Sequence, residues 1–349
     1  MTPQDDATLL RKALTACLQA LDDSDHQAAR HLADRAGTLA ATLGTLARAN
    51  AVLLTGMVEQ AVGDTETAAG RYAEAADLAG RHLAEPDGIQ LFLHARLELA
   101  ALHRSRGRYR QAEQILHDAL ATSGASEPDP MDLAMLHNEL GMVSKYSGSF
   151  DQAAACYRTA LTLLESVLPE GDPGLATIYH NIGGLAHARG DYAAAEEPAR
   201  RAVTIREHAL GPNHPAVADD RAALAPILLG LGRIEEAGHL LHDALAVFER
   251  THGTAHPDYA IALGNLAAVT HQLGRHQTAE TLYQRALHTL EQALGPDHPD
   301  LAPILANLAE LHRTLGNPDH AHTLDARARA ILTATVRPDH PTLTTLTRR

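Results

Sequence analysis

Apolar residues recur along this chain at intervals of three and four, and the pattern is copied about every 42 residues. In one copy a first apolar stripe contains Leu263 and Leu266, and a second contains Ala279 and Leu282. This spacing places each stripe on one face of an α-helix. Gly274 stands between the stripes, where glycine readily ends a helix. The copy therefore predicts two amphipathic helices joined by a turn.

The helix–turn–helix pattern occurs seven times, and each turn glycine is followed by alanine five and twelve residues later. The glycines are Gly63, Gly107, Gly148, Gly190, Gly232, Gly274 and Gly316. A fixed period of this length is typical of a solenoid, in which one helix pair stacks on the next. The two alanines lie on one helix face and let the paired helices approach closely. We therefore predict an all-α solenoid.

The period also divides the chain. We predict a degenerate N-terminal helix pair at 1–46, seven repeats, and a C-terminal stub of an eighth helix at 341–349. Repeats 1 to 7 span about 47–87, 88–129, 130–172, 173–214, 215–256, 257–298 and 299–340. Because the end of a solenoid needs a modified pair to cover its last apolar face, we interpret 1–46 as a cap. The stub is either a second cap or the start of a longer array.

A proline marks the start of five first helices, where its missing N–H costs nothing. These residues are Pro173, Pro215, Pro257, Pro299 and Pro341, with Asp172 before the first and histidine before the other four. With the Gly–Ala–Ala pattern and the segment LGPDHPDLAPILANLAEL, the chain resembles the tetratricopeptide repeat, in particular the kinesin-light-chain-like type of 42 residues. HEAT and armadillo repeats have similar periods but lack this pattern.

The resemblance covers about residues 47–341. It implies a right-handed superhelix whose first helices line a concave groove that holds an extended peptide. Asn181, Asn265 and Asn307 occupy the same place in their repeats, and Asn138 lies one place earlier in repeat 3. The resemblance implies that these amides clamp a peptide backbone, since an amide both donates and accepts. Alternatively, each amide bonds to a neighbouring helix or to water.

Repeats 2 to 4 add the richest polar cluster on the same predicted face. Its members are Glu98, Arg104, Glu139, Lys145, Tyr146, His180 and His187. Tyrosine and arginine are frequent interface anchors, although such a cluster can also be an ordinary solvated wall. The predicted peptide-binding residues are Glu98, Arg104, Asn138, Lys145, Tyr146, His180, Asn181, Asn265, His271 and Asn307.

Repeat 5 departs from the pattern. It has Ala223 where its neighbours have asparagine, carries the charged run Asp219-Asp220-Arg221, and has Pro226 in the middle of its first helix. Proline leaves the carbonyl four residues earlier, here that of Ala222, without its helical partner. A kink at this point would shape a pocket in the groove. We favour a tolerated irregularity.

The leading functional hypothesis is a non-catalytic scaffold that binds a partner's peptide or helix. An alternative is an enzyme that uses the groove as a substrate cavity. Its acid–base groups would be His180 and His187, with Tyr146, Glu139 and Lys145 nearby. A third possibility is self-association through the ends of the array. The sequence contains no phosphate-binding loop and no nucleophile elbow.

Composition narrows the partners. The chain has 29 basic and 43 acidic residues, a net charge of −14, which argues against nucleic acid as the main partner. The chain has only two cysteines, no secretion signal and no long apolar run, so we expect a cytoplasmic protein that does not enter a membrane.

The 23 histidines form no metal-binding signature: His180 and His187 lie about 10 Å apart along a helix, and His252 and His256 lie in a loop. We therefore expect neither a metal nor a cofactor.

Overall fold

The computed structural model describes residues 3–124 and 128–348, which form 17 α-helices and no strand. Residues 1–2 of the predicted cap, 125–127 of repeat 2 and Arg349 of the stub lie outside this part. The helices are α1 (Pro3–Asp22), α2 (His26–Ala40), α3 (Thr45–Ala61), α4 (Thr65–Ala79), α5 (Pro86–Ser105), α6 (Tyr109–Ser123), α7 (Pro130–Ser147), α8 (Phe150–Glu165), α9 (Pro173–Ala188), α10 (Tyr192–Leu210), α11 (Pro215–Gly230), α12 (Ile234–Thr251), α13 (Pro257–Gln272), α14 (His276–Leu294), α15 (Leu301–Thr314), α16 (Pro318–Thr335) and α17 (Pro341–Arg348).

The chain divides into two units, Met1–Leu140 and Gly141–Arg349, which we call the N-terminal and C-terminal units; the boundary falls within α7. Consecutive helices pack together from α1 to α6 in the N-terminal unit and from α8 to α17 in the C-terminal unit. First helices of neighbouring pairs also touch: α3 contacts α5, and α11 contacts both α9 and α13. The predicted all-α solenoid of tandem helix pairs is confirmed.

The paired alanines account for this close packing. Every one of the fourteen is at most 1% exposed: Ala68, Ala75, Ala112, Ala119, Ala153, Ala160, Ala195, Ala202, Ala237, Ala244, Ala279, Ala286, Ala321 and Ala328. Alanine keeps a high helix propensity while adding only one methyl group to the interface. The turn between the helices is equally regular, and Gly274 follows α13 with φ at +73°, a conformation that side chains other than glycine adopt at a cost.

The copied His–Pro turn precedes the first helices and caps α11 and α13, whereas α15 begins at Leu301, two residues after the predicted Pro299. Nδ1 of His256 accepts the N–H of Asp258 at 3.3 Å, and His214, His298 and His340 repeat this contact at 3.1, 3.3 and 3.2 Å. Asp172 performs the same function with a carboxylate oxygen, 2.8 Å from the N–H of Gly174. Histidine and aspartate are interchangeable here because both present an acceptor to the exposed N–H groups of a helix start.

The C-terminal unit contains a contact that the sequence did not predict. The N–H of Arg337 donates to the carbonyl of Ser147 at 3.0 Å, and the His340 ring lies edge-on to Phe150 with centroids 6.1 Å apart. The stub itself forms α17, which packs on α16 and buries Leu343 and Leu346. The segment before α17 therefore returns to the turn between α7 and α8.

No helix within the described ranges combines the length and the apolar character that crossing a lipid bilayer requires.

Candidate functional site

The first helices of the C-terminal unit share one partly exposed face, opposite their buried stripe. In α13, for example, Leu263 and Leu266 are buried whereas Ile261 is 40% exposed. We call this surface the first-helix face. It comprises Thr177, His180 and His187 of α9, Asp219, Pro226 and Leu229 of α11, Ile261, Asn265 and His271 of α13, and Asn307, Glu310 and Arg313 of α15.

A buried polar triad lies beneath this face, between α9, α10 and α11. Nδ1 of His180 is 2.7 Å from Oδ1 of Asp220, whose side chain is fully buried. Nε of Arg206 is 3.1 Å from the other carboxylate oxygen. The Nε–H bond of Arg206 does not point at this oxygen. The contact is therefore an ion pair without a hydrogen bond. The imidazole of His180 remains 31% exposed.

The triad occupies positions that are apolar in other repeats. Asp220 stands where they have Ile178, Ala262 and Ile304, all buried. Arg206 stands where the second helices have Leu164, Phe248, Leu290 and Leu332, also buried. Two charges have therefore replaced one apolar contact between successive repeats. This double departure from the period is the sequence signal that points to the site. The sequence showed Asp219, Asp220 and Arg221 as an irregularity of repeat 5, but we did not connect Asp220 with Arg206.

Such a replacement is costly for a scaffold that only needs to be stable. Desolvating two charges costs several kcal/mol, and a well-packed apolar pair is often as stable or more stable. Other repeats have buried apolar residues at both equivalent positions. We therefore explain the triad by its effect on His180: the buried carboxylate of Asp220 holds this imidazole in one orientation.

Asp219 provides a second titratable group on the same face. Burial, followed by the neighbouring carboxylates of Asp258 and Asp220, raises the pKa of Asp219 to about 7, and Arg206 opposes this only weakly. Within the described residues Asp219 forms no ion pair. This face therefore carries a carboxyl group that gains its charge near neutral pH.

The replacement Asp219→Asn is expected to change how stability depends on pH. Because folding raises the pKa of Asp219, the native state holds a proton between about pH 4 and 7 that the unfolded chain releases. The wild type therefore loses stability as the pH rises through this window, and the variant does not. Thermal midpoints should favour the variant most at pH 8, and the gain should shrink towards pH 4; a constant difference would contradict the assignment.

The four predicted asparagines have different environments. Asn307 is exposed, Asn181 is only 4% exposed, and Asn138 is half-buried in the N-terminal unit. Nδ2 of Asn265 donates to the carbonyl of Ala222 at 3.4 Å. That carbonyl is the one that Pro226 was predicted to free, and α11 continues through Pro226. Asn265 thus compensates for a proline in the neighbouring helix.

The predicted polar cluster is divided between the units. In the N-terminal unit, Nε of Arg104 donates to the buried carboxylate of Glu139 at 2.6 Å. Burial raises the pKa of Glu139, and the adjacent Arg104 opposes the shift. Burial also raises the pKa of Glu98, an effect that Glu139 increases and His94 opposes. These carboxyl groups form one electrostatic cluster between α5 and α7.

The remaining predicted residues lie in the C-terminal unit. Nζ of Lys145 is 4.6 Å from the ring centre of the exposed Tyr146. Burial and the charge of Lys145 lower the pKa of His187, whose ring lies 5.6 Å from that of Tyr192. Burial also lowers the pKa of His271. The groups named for the enzyme alternative therefore have different partners: His180 pairs with Asp220, His187 neighbours Lys145, and Glu139 pairs with Arg104.

Comparison with known families identifies the repeat. A sequence model of the tetratricopeptide repeat matches residues 131–208, 175–237, 220–292 and 258–334, and a second model of this repeat matches residues 92–124. The matches cover more than half of the chain and confirm the resemblance seen in the turn and alanine pattern. No curated protein sequence matches the chain.

Two solved structures share the architecture at low identity, and a third is similar over a shorter part of the chain. The Rap conjugation gene regulator of the plasmid pLS20, in complex with the Phr* peptide, is 16% identical over 95% of this chain and 96% of its own, with a TM-score of 0.67. A Rap protein complexed with Competence and Sporulation Factor is 12% identical over 97% of this chain and 96% of its own, with a TM-score of 0.63. A kinesin light chain protein of Podosopora anserina with nearly identical repeats is 23% identical over 60% of this chain and 98% of its own, with a TM-score of 0.43.

Proposed function

Because the chain belongs to the tetratricopeptide repeat family, we propose that its first-helix face binds an extended peptide segment of a partner protein. The observation that carries this proposal is the triad of His180, Asp220 and Arg206. It places the fully buried charge of Asp220 and the mostly buried charge of Arg206 at apolar positions of the repeat, and it holds one imidazole on the first-helix face. Binding of a ligand to this imidazole would explain why the chain tolerates the desolvation of these charges.

The chemistry of the face suits a peptide with both polar and apolar contacts. Ile261 offers exposed apolar area, and the amide of Asn307 pairs with a peptide group because it both donates and accepts. Asp219 recognises a basic side chain, since a bound cation favours its charged form. An extended segment reaches all three because α11, α13 and α15 follow one another along the unit.

Two similar structures support a peptide as the class of ligand. The Rap regulator of pLS20 is described in complex with the Phr* peptide, and a second Rap protein is described with Competence and Sporulation Factor. Their likeness to this chain lies in the fold, and identities of 16% and 12% transfer no residue roles. The position of the ligand on this chain is therefore argued from its own side chains.

Selection from a random peptide library, followed by calorimetry on the selected peptides, tests the proposal. His180→Ala and Asn307→Ala are expected to weaken binding by about tenfold or more, as loss of interface anchors does. His242→Ala is the matched control, because His242 is exposed on the second helix α12. Circular dichroism confirms that each variant is folded. Failure to select any binder, or equal affinities for all variants, would contradict the proposal.

A further inference from the structure

We propose that His252, His256 and Asp258 form a binding site for a divalent transition-metal ion, with Zn²⁺ as the expected occupant. The site lies at the turn between α12 and α13. It does not depend on the proposed peptide function, and none of its residues belongs to the first-helix face.

The ligand atoms are already close together. One nitrogen of each imidazole and one oxygen of Asp258 lie within 4.8 Å of one another. Nδ1 of His256 is 3.3 Å from Oδ2 of Asp258, and Nδ1 of His252 is 3.8 Å from the same atom. Neighbouring ligands of a tetrahedral zinc with bonds of 2.0–2.1 Å are about 3.3 Å apart. The distance between Nδ1 of His256 and Oδ2 of Asp258 already has this value, so only the His252 ring has to move closer to the other two ligands.

Local structure fixes all three ligands. The ring of His252 stacks on the buried Phe248, with centroids 5.9 Å apart and planes at 15°, and its backbone N–H bonds to the Phe248 carbonyl at 2.8 Å. His256 occupies the N-cap position of α13 and Asp258 lies in the first turn, so the start of this helix sets the backbone of both residues. A metal ion would therefore join the end of one repeat to the start of the next. Its fourth position would be taken by water, as in sites with three protein ligands.

The cost of occupying the site is small. Nδ1 of His256 now accepts the N–H of Asp258 at 3.3 Å, a long bond that coordination at this nitrogen would replace. The side chains of His256 and Asp258 are 42% and 37% exposed, so neither has to leave a packed core to reach the ion. Two neutral imidazoles and one carboxylate are also a ligand set that zinc commonly takes.

The period of the chain distinguishes this turn from its copies. The positions equivalent to His252 are Leu210 and Leu294. The following turn repeats the other two ligands as His298 and Asp300, which lie 3.6 Å apart. Three ligands are therefore present at one turn and two at the next. The sequence predicted no metal site here, because His252 and His256 were taken as loop residues and Asp258 was not grouped with them.

Titration of untagged, EDTA-treated protein with Zn²⁺ by calorimetry tests this site, with the absorption spectrum of Co²⁺ as a second readout. The wild type is expected to bind one equivalent. His252→Leu, which installs the residue of both equivalent positions, should weaken binding by about tenfold or more, because losing a ligand exceeds the loss of an outer-shell partner.

His298→Leu is the matched control and should bind zinc like the wild type. Thermal melts in EDTA establish that both variants are folded without metal. The proposal is overturned if the wild type takes up no stoichiometric zinc. It is equally overturned if His252→Leu binds as tightly as the wild type, or if both variants weaken binding to the same extent.

Discussion

Replacement of Asp220 by alanine is expected to lower the free energy of unfolding by about 3–5 kcal/mol, the usual cost of removing one partner of a buried ion pair. The change leaves the guanidinium of Arg206, which is 14% exposed, without its countercharge. It also removes the acceptor that orients His180. Urea denaturation followed by circular dichroism measures the loss.

Two further variants separate this effect from ordinary surface electrostatics. Asp151 pairs with Arg189 at 2.7 Å but is fully exposed, so Asp151→Ala should leave the free energy of unfolding nearly unchanged. The double variant Arg206→Phe/Asp220→Ala reproduces the apolar combination found at Phe248 and Ala262. It should recover most of the stability that Asp220→Ala loses. A double variant no more stable than Asp220→Ala would contradict the buried-pair interpretation.

The second large effect is expected at Gly148, compared with Gly190. Both glycines end a first helix, with φ of +98° and +77°, so alanine at either position should cost about 1 kcal/mol. A Cβ at Gly190 would meet no atom within 4 Å, whereas at Gly148 it would lie 2.9 Å from the His340 ring and 3.3 Å from its Cα. Gly148→Ala should therefore cost a further 1–3 kcal/mol or so, as overpacking does.

Hydrogen exchange provides a local readout of the same contact. The N–H of Arg337 is bonded to the Ser147 carbonyl, so its exchange should accelerate in Gly148→Ala. Gly190→Ala should leave the exchange of this amide unchanged. Equal losses of stability in the two variants, with equal exchange at Arg337, would show that the segment before α17 does not rely on this turn.

The fold could be predicted because the same pattern of glycine, alanine and apolar residues occurs seven times along the chain. Buried alanines, turn glycines and helix-starting prolines each act within one helix pair, so spacing along the chain was sufficient. The contact of His340 with Phe150 could not be predicted, because nearly two hundred residues separate its partners and no period links them. Self-association through the array ends stays a prediction.

The candidate site was harder to predict for a different reason. His180 was recognised as a polar residue on the correct helix face, but its partners Asp220 and Arg206 occupy places that the period reserves for apolar residues. Asn265 fits the alternative given for the asparagines, a bond to a neighbouring helix. It was considered foremost as a peptide clamp, yet its amide N–H is bonded to the carbonyl that Pro226 leaves free. A residue that differs from its equivalents in the other repeats should therefore be considered together with any such residue on the neighbouring helix.

Photo-crosslinking can locate a bound peptide on the first-helix face of the C-terminal unit without relying on a change in affinity. A photoreactive residue is placed at Ile261 or Asn307 on first helices, or at His242 or His288 on second helices, all of them exposed. A selected peptide is expected to cross-link at Ile261 and Asn307 and not at His242 or His288. Cross-linking at the second-helix positions with equal or greater yield would contradict it.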